Sequence, residues 1–437
     1  MRRKFFLIAI PGIIIGVVLA VIVMAFSSEK ATPGAELLKP VTTNQVTAAD
    51  KQITSAQAVI QKIPSDSRGY NMLASAFMQK ARETGDFSLN ARAEESLKHS
   101  FRVAPDNYEG LKLQAILKLV YHQFAEALEI AKRAQALNTR DHEIYGTIVD
   151  AQVELGDYKS AVDAAQKMVD MKPNLASYSR ISYLRSLHGD TKGAIEAMKM
   201  AISAGNPQNP ESIAWCRVHL GDELMNDGRA DEAEREYDHA LYLFPDYHLA
   251  LAAKARARFA AGDLENAVAL YKSAVERTPS PEYIAPLGDL YAKLGRPDEA
   301  RQQYEQVEFI EKMGASAGTY TNQLALFWAN HDMRLDDALA AAERERAARN
   351  DIYTADILAW CFYKKGRFAE AKIAIDEALR LGTREPRLLY HAGMIAAATG
   401  DNQKSVEYLE QALKINPQFD VLQADVAREK LNELNGK

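Results

Sequence analysis

An alanine returns along this chain at a nearly fixed interval. The series runs Ala93, Ala127, Ala161, Ala194, Ala233, Ala267, Ala300, Ala338 and Ala371, and Ser405 takes the tenth place. Successive gaps are 34, 34, 33, 39, 34, 33, 38, 33 and 34 residues. An internal period of this size constrains the fold more than any compositional value. Each unit is a supersecondary element that cannot bury its apolar face alone, so like units must stack into a solenoid. That excludes a single globular core and moves the functional question from catalysis to binding.

The surroundings of each alanine repeat as well. Five residues before it stands a glycine at Gly156, Gly189, Gly228, Gly262, Gly295, Gly366 and Gly400. Glycine accepts the left-handed conformation that ends one helix and opens a tight turn. Seven residues after the alanine comes a second small residue, as at Ala134, Ala201, Ala240, Ala274, Ala378 and Ala412. Twelve after it, proline closes several units, at Pro105, Pro173, Pro245, Pro279 and Pro417. Between these marks the apolar spacing is helical: Tyr145, Ile148, Val149 and Gln152 precede one turn, and Ala161, Ala165 and Met168 follow it. Offsets of three, four and seven put such residues on one face. Small residues belong where the two helices of a hairpin cross, since a larger side chain would push the axes apart.

The pattern resembles the tetratricopeptide repeat family, whose motif has a Leu-Gly pair in helix A, then Ala, an aromatic, Ala and Pro in helix B. Leu220-Gly221, Ala233, Tyr237, Ala240 and Pro245 match it best, followed by Leu287-Gly288, Tyr291, Ala300 and Tyr304. The resemblance covers roughly residues 68–417. It implies an all-α fold, a right-handed α-α solenoid of about ten helical hairpins. The first, second and eighth copies are degenerate; the second has His122 where glycine is expected. Asn206-Pro207-Gln208-Asn209-Pro210 accounts for the 39-residue gap, and Gly314-Ala315-Ser316-Ala317-Gly318 coincides with the 38-residue one. These turn-forming stretches divide the repeats into blocks at 68–205, 211–313 and 318–417, as hinges or merely as longer connections. The amphipathic stretches 47–66 and 418–437 read as helices covering the two ends.

Arg2-Arg3-Lys4 precedes Phe5 to Phe26, 22 residues without a charge. A helix of that length spans roughly 33 Å, enough for a bilayer. An uncleaved transmembrane anchor over 5–26 is the favoured reading, and a cleaved signal peptide ending near Val23-Met24-Ala25 is the alternative. Either way the basic flank at 1–4 stays in the cytoplasm and the repeats lie across the membrane, in the periplasm or its equivalent. Residues 27–46 form a flexible linker. The short basic start, and the lack of any Asn-x-Ser/Thr acceptor, point to a bacterial envelope.

Removing the leading segment with its three basic residues takes the net charge from −6 to −9. An acidic body speaks against nucleic acid as a partner, because phosphate binding needs a basic stripe. Cys216 and Cys361 lie four repeats apart and read as inert packing. No zinc-type pair, phosphate-cradling loop or nucleophile elbow occurs. His391 sits among packed residues with no partner evident in sequence. The expectation is therefore a non-enzyme with no cofactor, no metal and no catalytic residue.

In the family, helix A lines a concave groove that holds partner peptides. The resemblance places Tyr183, Asp222, Met225, Arg256, Phe259, Asp289, Asp356, Trp360, Tyr363, Tyr390 and Met394 there. Aromatic side chains anchor interfaces, so Trp360, Tyr363, Tyr390 and Met394 form the sharpest candidate set; the competing reading makes them core. Family members that clamp a C-terminal carboxylate use lysines and asparagines. Here Asp222, Arg256, Asp289 and Asp356 stand at those places, and such a groove would repel a carboxylate. The leading expectation is a membrane-tethered scaffold that binds protein or peptide segments for envelope assembly, folding or secretion. The alternatives are an exported carbohydrate- or polymer-binding protein and an accessory subunit of a separate enzyme. Homo-oligomers are compatible with such faces but nothing in the sequence calls for them.

Overall fold

The computed structural model describes residues 47–314 and 321–436, in which 22 α-helices and no strand occur. A first helix, α1 (Ala48–Lys62), precedes ten hairpins. The first five are α2/α3 (Ser67–Thr84, Leu89–Val103), α4/α5 (Tyr108–Val120, Phe124–Leu137), α6/α7 (Glu143–Glu154, Tyr158–Met171), α8/α9 (Leu175–Leu187, Thr191–Ser203) and α10/α11 (Pro210–Asn226, Ala230–Leu243). The next five are α12/α13 (His248–Ala260, Leu264–Arg277), α14/α15 (Pro281–Lys293, Pro297–Gly314), α16/α17 (Thr321–Asn330, Leu335–Ala348), α18/α19 (Ile352–Lys364, Phe368–Ala378) and α20/α21 (Pro386–Ala398, Asn402–Ile415). A last helix, α22 (Gln423–Leu434), packs on the tenth hairpin. The apolar segment 5–26, the linker 27–46 and the connection 315–320 lie outside the described residues. No described helix is long and apolar enough to cross a membrane.

The turn between the helices of a hairpin is written in two or three residues. Gly156, Gly189, Gly262 and Gly400 take positive φ, and the aspartate after each caps the next helix. Asp157, Asp190, Asp263 and Asp401 accept from the backbone N–H of Ser160, Gly193, Asn266 and Lys404. Such a cap is worth about 1 kcal/mol. Where arginine stands in that place there is no side-chain cap. Arg229, Arg296 and Arg367 instead reach an acid three residues on, Glu232, Glu299 and Glu370. His122 adopts φ 56° where seven of the other repeats use glycine, and in the eighth turn Asp332 and Arg334 take positive φ instead.

The ten periodic positions are all buried, from Ala93 to Ala371 and Ser405. Across from them the helix A glycines let the axes close. A methyl group on Gly221 would stand 2.2 Å from Tyr237 Cε1, and one on Gly288 would stand 2.5 Å from Tyr304 Cε1.

The array also meets itself. Residues 193 to 196 apart touch, a separation of between five and six repeats. Asn350 N–H donates to Glu154 O at 2.8 Å, and Ile352 N–H donates to Tyr158 Oη at 2.9 Å. Thr383 Oγ1 donates to Leu187 O, and Tyr158, Leu187 and Ile352 share one apolar cluster. The turn glycines record this seam. A methyl on Gly156 would lie 2.3 Å from Asn350 O and one on Gly189 would lie 2.4 Å from Gly382 O. At the equivalent Gly262, Gly295, Gly366 and Gly400 nothing lies within 4 Å. Early hairpins thus abut late ones through their turns, and the late hairpins present the same turns to open space.

Candidate partner-binding cavity

The charges on the first helices of successive hairpins are matched one repeat to the next. Asp150 of α6 takes a fork from Arg180 of α8, with Nε–Oδ1 at 2.8 Å and Nη2–Oδ2 at 2.6 Å. Asp222 of α10 accepts from Arg256 of α12 at 2.7 Å and from Tyr237 Oη at 3.0 Å. Asp289 of α14 lies 2.8 Å from His331 Nε2 and accepts from Tyr304 Oη at 2.7 Å. Asp356 of α18 lies 2.8 Å from His391 Nδ1, both side chains fully buried. Burial alone would depress the His331 pKa, but the hydrogen bond and charge of Asp289 outweigh it and raise that pKa. These inner acids are therefore paired from one repeat to the next and are not a free negative surface, although Asp356 Oδ2 and His391 Nε2 stay buried without a hydrogen-bond partner among the described residues.

Between the third and fifth hairpins the inner faces leave a cavity of about 720 Å³. Tyr183 of α8 and Trp215 of α10 supply its rings; Asp150, Arg180, Glu154, Glu211 and Glu223 supply its charges. Trp215 packs on His219 with ring centroids 3.9 Å apart. Arg82 of α2 also lines the cavity and reaches across to Glu211 at 3.8 Å. Glu211 in turn accepts from Tyr247 Oη at 3.0 Å. At the seam Arg349 Nε stands 3.1 Å from Glu154 Oε2. Burial raises the Glu154 carboxyl to about 7 against the pull of Arg349, with Asp351 and Asp150 pushing the same way. Glu223 is raised to about 7, again chiefly by burial. A volume of this size, with two aromatic faces and carboxylates that change charge near neutrality, accommodates a few side chains of an extended segment.

The sequence-derived groove residues fall into two groups. Tyr183, 42% exposed, lines the cavity. The Arg256 side chain is exposed, and Asp222, Met225 and Tyr363 are half-buried. Phe259, Asp289, Asp356, Trp360, Tyr390 and Met394 are buried. Trp360 and Tyr390, each 1% exposed, correct the expectation of an aromatic docking patch. The Trp360 indole is stacked on Tyr363 and on His391, at 4.8 and 4.2 Å, and its N–H donates to Asn330 Oδ1 at 2.8 Å. Its ring bridges α16, α18 and α20, because the first helices of neighbouring hairpins lie side by side and cover such positions. Tyr390 Oη donates to Gln423 Oε1 at 2.6 Å under the closing helix. Cys216 and Cys361 are both buried free thiols, pushed up to about 12 by that burial. Among the described residues no three His, Cys, Asp or Glu side chains gather to hold a metal ion.

Trp215, Glu223, Glu154, Asp150 and Arg180 are among the cavity residues that the family mapping missed. A signal for part of them was present: an acid on one first helix, and a base 30 to 35 residues later, recurs as Asp150–Arg180, Asp222–Arg256 and Asp356–His391.

Descriptions of the tetratricopeptide repeat match the chain at 219–281, and at 285–308 and 386–419. The human protein O-mannosyl-transferase TMTC1 is 26% identical over 220 residues, 50% of this chain and 24% of that protein. This chain thus spans about a quarter of that relative's length. Among solved structures, the APC/C hetero-tetramer Cut9-Hcn1 is 15% identical at TM-score 0.37, over 88% of this chain and 67% of that one. A tetratricopeptide repeat protein from Parabacteroides merdae ATCC 43184 is 19% identical at TM-score 0.34, over 60% of this chain and 99% of that one.

Proposed function

We propose that this chain, which carries tetratricopeptide repeats, is a non-catalytic scaffold that holds an extended segment of a partner polypeptide on its inner face. The cavity between the third and fifth hairpins carries the reading, because it joins exposed aromatic surface at Tyr183 to polar groups in one partly open recess. Aromatic rings offer large contact area at small entropic cost, and polar groups set into such surface fix orientation. The likeness to an O-mannosyl-transferase covers a quarter of that protein, and the reading proposed here is of binding.

Tethering through residues 5–26, with the repeats on the extracytoplasmic side, is part of the proposal and is supported by the uncharged run behind Arg2-Arg3-Lys4. A carbohydrate- or polymer-binding protein would need exposed stacking faces such as Tyr183, Trp360 and Tyr390; with Trp360 and Tyr390 buried, a polypeptide fits the site better. Recovery of the protein from gently solubilised membranes tests the reading. Wild type is expected to bring down a defined polypeptide that Tyr183→Glu loses, and equal recovery by both would contradict the site. Protease added to spheroplasts is expected to cut the repeats; full protection would place them on the other side.

A further inference from the structure

The inner face of the late hairpins is already occupied by the chain itself. After α21, the turn at 416–422 leads into α22, and it does not stay beside the tenth hairpin. Val421 is buried in the cluster of Leu290 and Tyr291, on the seventh hairpin. Lys293, at the end of α14, donates to Val421 O at 3.1 Å and pairs with Asp425 at 2.6 Å, across 128 and 132 residues. Phe419 packs on Tyr390 with ring centroids 5.5 Å apart. The segment therefore crosses from the tenth hairpin to the seventh, over the places where the family mapping put partner contacts.

We propose that residues 417–425 are a tethered occupant of this inner face, and that a partner segment with an aromatic, an aliphatic and an acidic residue, spaced as Phe419, Val421 and Asp425 are, displaces them. The inference rests on the inner face being the partner site. The recognised chemistry is read from the occupant: a ring against Tyr390, an aliphatic side chain beside Leu290, and a carbonyl and a carboxylate for the Lys293 ammonium. The fit is incomplete. Gln418 Oε1 is buried without a hydrogen-bond partner. Among the described residues the Asp420 carboxyl accepts from the backbone N–H groups of Leu422 and Gln423, and burial together with nearby Asp289 raises its pKa against the opposing pull of those two bonds and of Arg387. An occupant so held is replaceable by a better complement, and its tether keeps the face closed until one arrives at sufficient concentration.

The test uses the full chain and a labelled peptide of its own residues 416–426. Phe419→Ser/Val421→Ser is expected to speed amide exchange over 416–425 at least tenfold. It is also expected to bind the peptide, by fluorescence anisotropy, at least tenfold more tightly than wild type. Adding Lys293→Ala should abolish that gain. Lys293→Ala alone, at a side chain outside the apolar cluster, should also loosen the segment without loss of helical signal. Equal peptide binding by wild type and the double variant, or exchange as slow as wild type in both variants, would overturn the proposal. Either failure would leave the early cavity untouched, because the comparison of wild type with Tyr183→Glu reports on the third to fifth hairpins alone.

Discussion

At Gly221 the whole repeat logic is compressed into one missing methyl group. Tyr237 of the second helix occupies the volume that a Cβ would need, and its hydroxyl is held by Asp222 at 3.0 Å. Gly221→Ala must displace a buried ring that is fixed at both ends. Overpacking of this kind costs typically 1–3 kcal/mol, so the melting temperature should fall by several degrees; an unchanged melt would contradict the crossing geometry. Asp289 offers a second check. It raises the pKa of His331, so the pair contributes most below pH 6.5 and its contribution fades as pH rises through the raised value. Asp289→Asn is expected to lower the His331 pKa seen by NMR titration and to flatten that part of the stability profile. An unshifted His331 would show that burial, and not the aspartate, sets its proton affinity. Asp289 and His331 also show where reading a sequence stops. The helix A aspartates are at the expected positions, but whether each faces a groove or a neighbour depends on the base in the next repeat.

At the scale of the element, the hairpins were legible because their signals are local: the left-handed glycine, the aspartate cap and the small residue at the crossing all fall within a dozen positions. Trp360 was not legible in the same way. A large ring at a first-helix position can face outward or bridge neighbours, and only the spacing of adjacent hairpins decides between them. The seam was less legible still, because small rotations accumulate over more than five repeats before Glu154 meets Arg349. That pair gives the element-scale prediction. With the seam closed, Glu154 keeps its proton up to about 7, against an ordinary value of 4.5. The closed state therefore binds the proton more tightly, and its advantage is complete at low pH and is lost as pH rises through 7. Arg349 opposes the shift, and Asp351, Asp150 and Glu345 favour it. Thermal midpoints of wild type should fall more between pH 5 and pH 8 than those of Glu154→Gln. Parallel curves would remove Glu154 from the account.

On the scale of the whole molecule, two features set what the described body does. The seam joins early hairpins to late ones, so the repeats enclose inner volume instead of presenting an open arc. The early half of that volume is a cavity with Tyr183 and Trp215 on its wall, and the late half is filled by the chain's own turn at 416–422. A photo-reactive amino acid placed at Tyr183 in living cells, compared with the same group at Tyr242 on the outer face (86% exposed), tests the central claim directly. The account predicts a discrete polypeptide adduct from position 183 and none of that size from position 242. Identical adducts from both, or none from 183, would contradict it.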